Sequence, residues 1–104
     1  LHMTNNVSVQ ADRNLKAALY EKQGKMDKAI ELYLKNVNER FDGNYPYDRL
    51  CVIYRKQKRY QEELEVLKTA IFVFENIVYS ERGDRETKLI KFVKRLNTVR
   101  KLIK

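Results

Sequence analysis

Apolar residues recur at three- and four-residue spacing along nearly the whole chain, and the interruptions fall at a few turn-forming residues. The pattern predicts five helices and no strand. The first begins near Ser8 or Asp12 and runs to Gln23, with Leu15, Ala18, Leu19 and Lys22 at i, i+3, i+4, i+7; Gly24, which takes a left-handed backbone without penalty, ends it. The second, about 26–40, carries Ala29, Ile30, Tyr33, Leu34 and Val37 on one stripe, and Asp42-Gly43-Asn44 is the clearest turn. Pro46 suits the first turn of the third helix, which passes through Leu50, Ile53 and Tyr54 to about Gln57. A fourth starts near Gln61 and meets no breaker before Ser80 to Gly83, a reach of about 28 Å at 1.5 Å per residue. Asp84 is placed to cap the fifth, which runs to the chain end with Leu89, Phe92, Val93, Leu96 and Ile103 on one side and Lys88, Lys91, Lys94, Arg95 and Lys101 on the other.

One offset organises the first three quarters of this pattern. Tyr20, Lys22, Gln23 and Glu31 recur 34 residues later as Tyr54, Lys56, Gln57 and Glu65, with no gap between segments 13–37 and 47–71. Apolar character is kept where identity is not: Leu19 matches Ile53, Met26 Tyr60, Ile30 Leu64, Leu32 Val66 and Val37 Ile71, while Lys25 matches Arg59 on the polar side. A fixed period in this range marks one helical hairpin repeated, each copy burying its apolar face on its neighbour. At the turn matching Gly24 stands Lys58, where a left-handed residue costs roughly 1 kcal/mol, so the second turn is expected to differ in detail. Shifting by a further 34 residues sets Asp84 on Leu50 and Lys88 on Tyr54, so no third repeat is read beyond Tyr79.

Composition narrows the class. At 104 residues there is room for one domain, and only three Gly and one Pro leave little turn chemistry, as an all-α chain requires. The single cysteine, Cys51, has no internal partner, which points to a reducing compartment. Leu1, His2 and Met3 read as an expression remnant ahead of an initiator at Met3. The polar start that follows lacks the apolar stretch of a secretion signal, and no run approaches the roughly 18 apolar residues of a membrane span, so a cytoplasmic protein with no membrane partner is expected. The net charge is +8, and nine Lys or Arg against three acids from Glu81 onward place most of it in the last quarter.

The segment Leu19-Tyr20-Glu21-Lys22-Gln23-Gly24-Lys25-Met26-Asp27-Lys28-Ala29-Ile30-Glu31-Leu32-Tyr33 resembles the core of a tetratricopeptide repeat, and Tyr47 to Gln57 resembles the inner helix of the next. The resemblance covers about 13–71 and implies two helical hairpins, about 11–43 and 45–79, closed by an amphipathic helix over 84–104. Ala29 stands at the small crossing position, Tyr33 at the aromatic after it, and Tyr47 at the aromatic that opens an inner helix. Departures are Arg13 where the family has a large aromatic, Phe41 and Glu75 where it often has proline, and Glu63 where it has a small residue. A buried carboxylate at Glu63 needs a cation, such as Arg59, or it destabilises; Glu63→Ala is accordingly expected to be neutral or stabilising.

Such domains are adaptors, so the resemblance implies a groove that takes a peptide or partner helix. By repeat position it would be lined by Asn14, Ala18, Glu21 and Lys22, then by Tyr45, Asp48, Arg49, Val52, Arg55 and Lys56. Arg49, Arg55 and Lys56 make the second half cationic and suit an acidic peptide whose carboxylates arginine would take bidentately. The lysine-asparagine-arginine clamp with which the family reads chaperone tails is not reproduced. Two rival readings rest on the basic fifth helix: nucleic-acid binding without sequence preference through Lys88, Lys91, Lys94, Arg95 and Lys101, or homodimeric assembly through Phe92 and Leu96. No aromatic alternates with those lysines, so base stacking has little to offer. Catalysis is not expected: there is no nucleophile and base spacing, no metal-ligand spacing and no glycine-rich phosphate loop, and adjacent Glu62 and Glu63 point about 100° apart on a helix. No cofactor is implied.

Overall fold

The structure, a computed structural model, describes the backbone of residues 2–103 and the side chains of residues 7–103, so the reading of residues 1–3 as a remnant lies outside the described side chains. Five helices follow one another: α1 (His2–Lys22), α2 (Met26–Asn38), α3 (Tyr45–Lys56), α4 (Tyr60–Asn76) and α5 (Arg85–Leu102), with no strand among the described residues. α1 pairs with α2 and α3 with α4 as hairpins, α2 packs on α3, and α5 lies along α4. The fold is all-α, built of helical hairpins and ended by a long helix. α1 starts earlier than Ser8 or Asp12 because no Gly or Pro stands between His2 and Gly24 to interrupt it.

The 34-residue offset is written into the backbone of the two turns. Lys25 N–H bonds Tyr20 O at 2.8 Å and Arg59 N–H bonds Tyr54 O at 2.9 Å; Gly24 and Lys58 bond Glu21 O and Arg55 O at 3.0 and 3.1 Å. Lys25 has φ −93° and ψ 68°, Arg59 φ −93° and ψ 65°. The expected difference between the turns is absent: Lys58 adopts φ +59° beside Gly24 at +75°. The closing bonds hold the lysine in a backbone that glycine enters freely. Lys58→Gly is therefore expected to stabilise the fold by about 0.5 kcal/mol, the left-handed cost relieved less the chain entropy glycine adds, and to raise Tm by about 3 °C. A lowered Tm would show that the lysine side chain contributes packing that outweighs the strain.

The core joins both hairpins to the last helix. Ala29, Ile30, Tyr33 and Val37 of α2 are buried with Leu50, Ile53 and Tyr54 of α3 and Leu67, Val73 and Phe74 of α4. Tyr47 donates its hydroxyl to Phe41 O at 2.7 Å, just after α2. Phe92 of α5, fully buried, meets Phe74 edge-on at 5.3 Å and Tyr47 at 6.2 Å. Phe92 is thus used within one chain, and an assembly through Phe92 and Leu96 would require α5 to leave the core. Val93, read from sequence as part of the packed side, is instead 40% exposed. Asp84 precedes α5 but caps nothing with its side chain, because its carboxylate is taken by Arg82 at 2.6 and 3.1 Å.

α1 departs most from expectation. Leu15 and Leu19 are 67% and 56% exposed, and the face turned inward carries Ala17, fully buried, flanked by half-buried Arg13, Asn14, Tyr20 and Glu21. Leu19 matches Ile53, which is 4% exposed. The difference is positional: α3 lies between α2 and α4, whereas α1 packs chiefly on α2.

Arg13 and Glu63, placed where the resemblance led to an aromatic and a small residue, both find partners within the fold. Arg13 donates to Asn36 Oδ1 at 3.0 Å and to Glu39 at 2.8 Å, while the fully buried Asn36 amide donates to Gln10 O and Asn14 Oδ1, both at 2.9 Å. A polar knot thus joins α1 to α2, with the buried amide satisfied. Glu63, 1% exposed, accepts Arg55 Nε at 2.8 Å and Nη2 at 2.7 Å. The expected partner Arg59 instead takes Glu62, at 2.7 and 2.6 Å. Adjacent glutamates point to different sides of α4, so one faces the N-terminal loop arginine and the other faces α3.

Candidate functional site

The cations that sequence reading divided between two rival surfaces meet in one cleft. Val52, Arg55 and Lys56 from the last turns of α3 face Lys91, Lys94, Arg95 and Thr98 of α5 across a cleft of about 390 Å³, with Cys51 and the Glu63 carboxylate of α4 also lining it. Five cations therefore line a concavity with one carboxylate, and that carboxylate is already neutralised by Arg55. Like charges gathered on low-dielectric walls focus a positive potential into the opening.

Three ion pairs fix α3 relative to its neighbours, and they decide which of these cations are free. Arg49 holds Glu21 of α1 through Nε at 3.1 Å and Nη2 at 2.7 Å; Arg55 holds Glu63 of α4; Asp48 accepts from Arg95 Nη1 of α5 at 3.2 Å and from Asn44 Nδ2 at 2.6 Å. The expectation that Arg49 and Arg55 take a peptide's carboxylates bidentately is corrected here, since each fork already grips an internal carboxylate. Among the described residues, Lys56, Lys91 and Lys94 make no ion pair, and all three are exposed.

The remaining expected groove residues lie elsewhere. Asn14 serves the Asn36 knot, Ala18 is half-buried, Lys22 ends α1 in solvent, and Tyr45 packs edge-on against Tyr33 at 6.0 Å. On α5, Lys88 is half-buried outside the cleft and Lys101 is exposed outside it. The proposed basic face is thereby divided, with only Lys91, Lys94 and Arg95 turned to α3. Thr98 and Cys51 were not anticipated; Thr98, four residues beyond Lys94, follows it on the same helical face, a spacing that sequence shows only once α5 is known to pair with α3.

Cys51 offers no nucleophile. It is 2% exposed, and burial, with the nearby Glu63 charge, pushes its thiol up to about 12. Glu21 feels burial, which works to raise its carboxyl, yet bonds from Arg49 and from Tyr33 hydroxyl at 2.6 Å leave it below the ordinary 4.5. Bonds from Arg13 and Gln10 lower Glu39 likewise. A carboxyl depressed by folding adds stability above its unfolded value, and that stability is lost as pH falls through the folded value. Arg49→Gln is therefore expected to lower the urea midpoint at pH 7, and the deficit should shrink at an acid pH below the folded Glu21 value, where the carboxyl is protonated in either protein. Equal losses at both pH values would mean that Arg49 acts through packing alone.

No group of three or more His, Cys, Asp or Glu able to hold a metal occurs among the described residues, and no helix there is long and apolar enough to cross a membrane. Comparison with protein-family models, curated proteins and solved structures finds no match to this chain.

Proposed function

We propose that this chain is a non-catalytic protein-interaction module of the tetratricopeptide kind, two hairpins with a closing helix, which holds an acidic segment of a partner protein in the α3–α5 cleft. The supporting observation is the convergence of Lys56, Lys91 and Lys94, from two helices and none of them in an ion pair among the described residues, on one concavity. Lysine ammonium groups left unpaired on a concave wall attract anions and cost little to desolvate partially, because each keeps water on its open side. Val52 gives the cleft an apolar wall for the aliphatic part of a bound side chain. A cytoplasmic setting, inferred from the lone cysteine, belongs to the same reading.

A fluorescein-labelled glutamate-rich dodecapeptide, followed by fluorescence polarisation, tests it. Binding in the micromolar range, about −8 kcal/mol, is expected at low salt and should weaken as salt screens the cleft. Lys91→Glu and Lys94→Glu should each reduce affinity more than tenfold, roughly 1.4 kcal/mol, whereas Lys101→Glu should change it little. Absence of binding at low salt, or equal losses at Lys94 and Lys101, would contradict the assignment.

A further inference from the structure

Resting on that reading, we infer that the cleft is selective for a phosphorylated segment over one carrying carboxylates alone. The argument begins with the donors that remain. A carboxylate is recognised best by the planar fork of arginine, and in this molecule the arginines are engaged inside the fold: Arg55 gives both Nε and Nη2 to Glu63, Arg49 gives both to Glu21, and Arg95 gives Nη1 to Asp48. What faces the opening is three ammonium groups, Lys91 and Lys94 one turn apart on α5 and Lys56 across from them on α3. Ammonium groups have no preferred plane and respond to charge. They reward a ligand by its charge and by acceptors pointing in several directions.

A phosphomonoester meets both conditions. It carries about −1.5 to −2 charge at neutral pH and three acceptor oxygens arranged around one centre, against −1 and two coplanar oxygens for a carboxylate. Three cations approaching from two helices match that arrangement, while the Thr98 hydroxyl beside them already donates to Lys94 O at 3.1 Å. The phosphate belongs to a peptide segment and not to nucleic acid, because no aromatic side chain lines the cleft for a base to stack on, and because Lys88 and Lys101 lie outside it instead of extending it into a track along a backbone. Partner phosphorylation would then control occupancy, while the carboxylates beneath, Glu63 and Asp48, remain matched by Arg55 and Arg95.

Three labelled dodecapeptides, identical except for two central residues that are phosphoserine, glutamate or serine, separate the outcomes, alongside a single-stranded oligonucleotide of equal length and inorganic phosphate. At pH 7.5 the phosphopeptide is expected to bind about tenfold or more tighter than the glutamate peptide, and the margin should close by pH 5.5, below the second phosphate ionisation near 6, where lysine charge is unchanged. Lys56→Gln, Lys91→Gln or Lys94→Gln should each remove most of the margin, with circular dichroism unaltered, while Lys101→Gln keeps it. Inorganic phosphate at about 1 mM should displace little of the peptide, because the segment adds contacts along the cleft. Equal affinity for phosphoserine and glutamate peptides overturns this inference and leaves the acidic-segment reading standing; failure of both peptides to bind overturns both. Tighter binding of the oligonucleotide, with Lys101→Gln as damaging as Lys91→Gln, assigns the charge to nucleic acid, and full displacement by free phosphate assigns the cleft to the anion alone.

Discussion

Phe92→Ala is expected to destabilise the protein by about 3–5 kcal/mol, the usual cost of removing a fully buried aromatic. For a domain of this size, whose whole stability is of order 5–15 kcal/mol, that is a large share. Phe92 is the side chain through which α5 engages both hairpin helices nearest it, edge-on to Phe74 at 5.3 Å and to Tyr47 at 6.2 Å. Other apolar residues of α5 contribute less, since Leu89, Leu96 and Ile103 are half-buried and Ile90 and Val93 are exposed; only Val99 joins Phe92 in full burial. Urea denaturation measures the loss, and amide exchange locates it: α5 amides should lose protection before those of α2 and α3. The functional consequence is indirect, because Lys91 and Lys94 are held against α3 only while α5 is docked. Phe92→Leu, which refills most of the space, should cost about 1.5 kcal/mol or less and keep peptide binding. A loss below about 1 kcal/mol for the alanine variant would mean that Phe92 does not anchor the helix.

Arg55→Ala is the second large effect, expected at about 3 kcal/mol. It strands Glu63, at 1% exposure, without its cation, and removing one partner of a buried pair leaves an uncompensated charge. The converse change is milder. With Glu63→Ala the orphan is Arg55, whose side chain is 35% exposed and turns to water, so a loss of about 1 kcal/mol is expected. The structure thus reverses the sequence-based expectation that Glu63→Ala is neutral or stabilising. Arg55→Ala with Glu63→Ala should recover most of the single-variant loss, because a small residue at the crossing of α3 and α4 suits close helix packing. A double-mutant cycle gives the coupling directly, and near-additive losses would show that the two side chains do not act as a pair.

The legible and illegible parts of this chain divide along a physical line. Helix existence was legible because it rests on local periodicity: the α2 stripe of Ala29, Ile30, Tyr33 and Val37 and the α3 stripe of Leu50, Ile53 and Tyr54 are buried as their spacing indicates. The left-handed Gly24 was legible for the same reason, its conformation being a property of one residue. Lys58 was not, because the closing bonds of its turn, from Lys58 N–H to Arg55 O and from Arg59 N–H to Tyr54 O, hold the conformation against the residue's own preference. The stripe on α1 failed in the opposite sense. Leu15 and Leu19 have the spacing of a buried face, but burial needs a neighbour, and the main neighbour of α1, α2, lies on its other side.

The candidate site shows the same division more sharply. Most of the cleft cations were recognisable one by one, on two separate helices, as charged positions in amphipathic patterns. Their sequence separation, from Lys56 to Lys91, hides that they share a wall, and no periodicity reaches across two loops. Which cations are free was equally hidden, since it depends on where Glu21, Asp48 and Glu63 point once the helices cross. The sequence alone determined the helices, the 34-residue register and the excess of positive charge, because these follow from short-range spacing and residue type. Only the tertiary structure decided that arginines staple the helices while lysines face the opening, because that choice is made by contact between elements far apart in the chain.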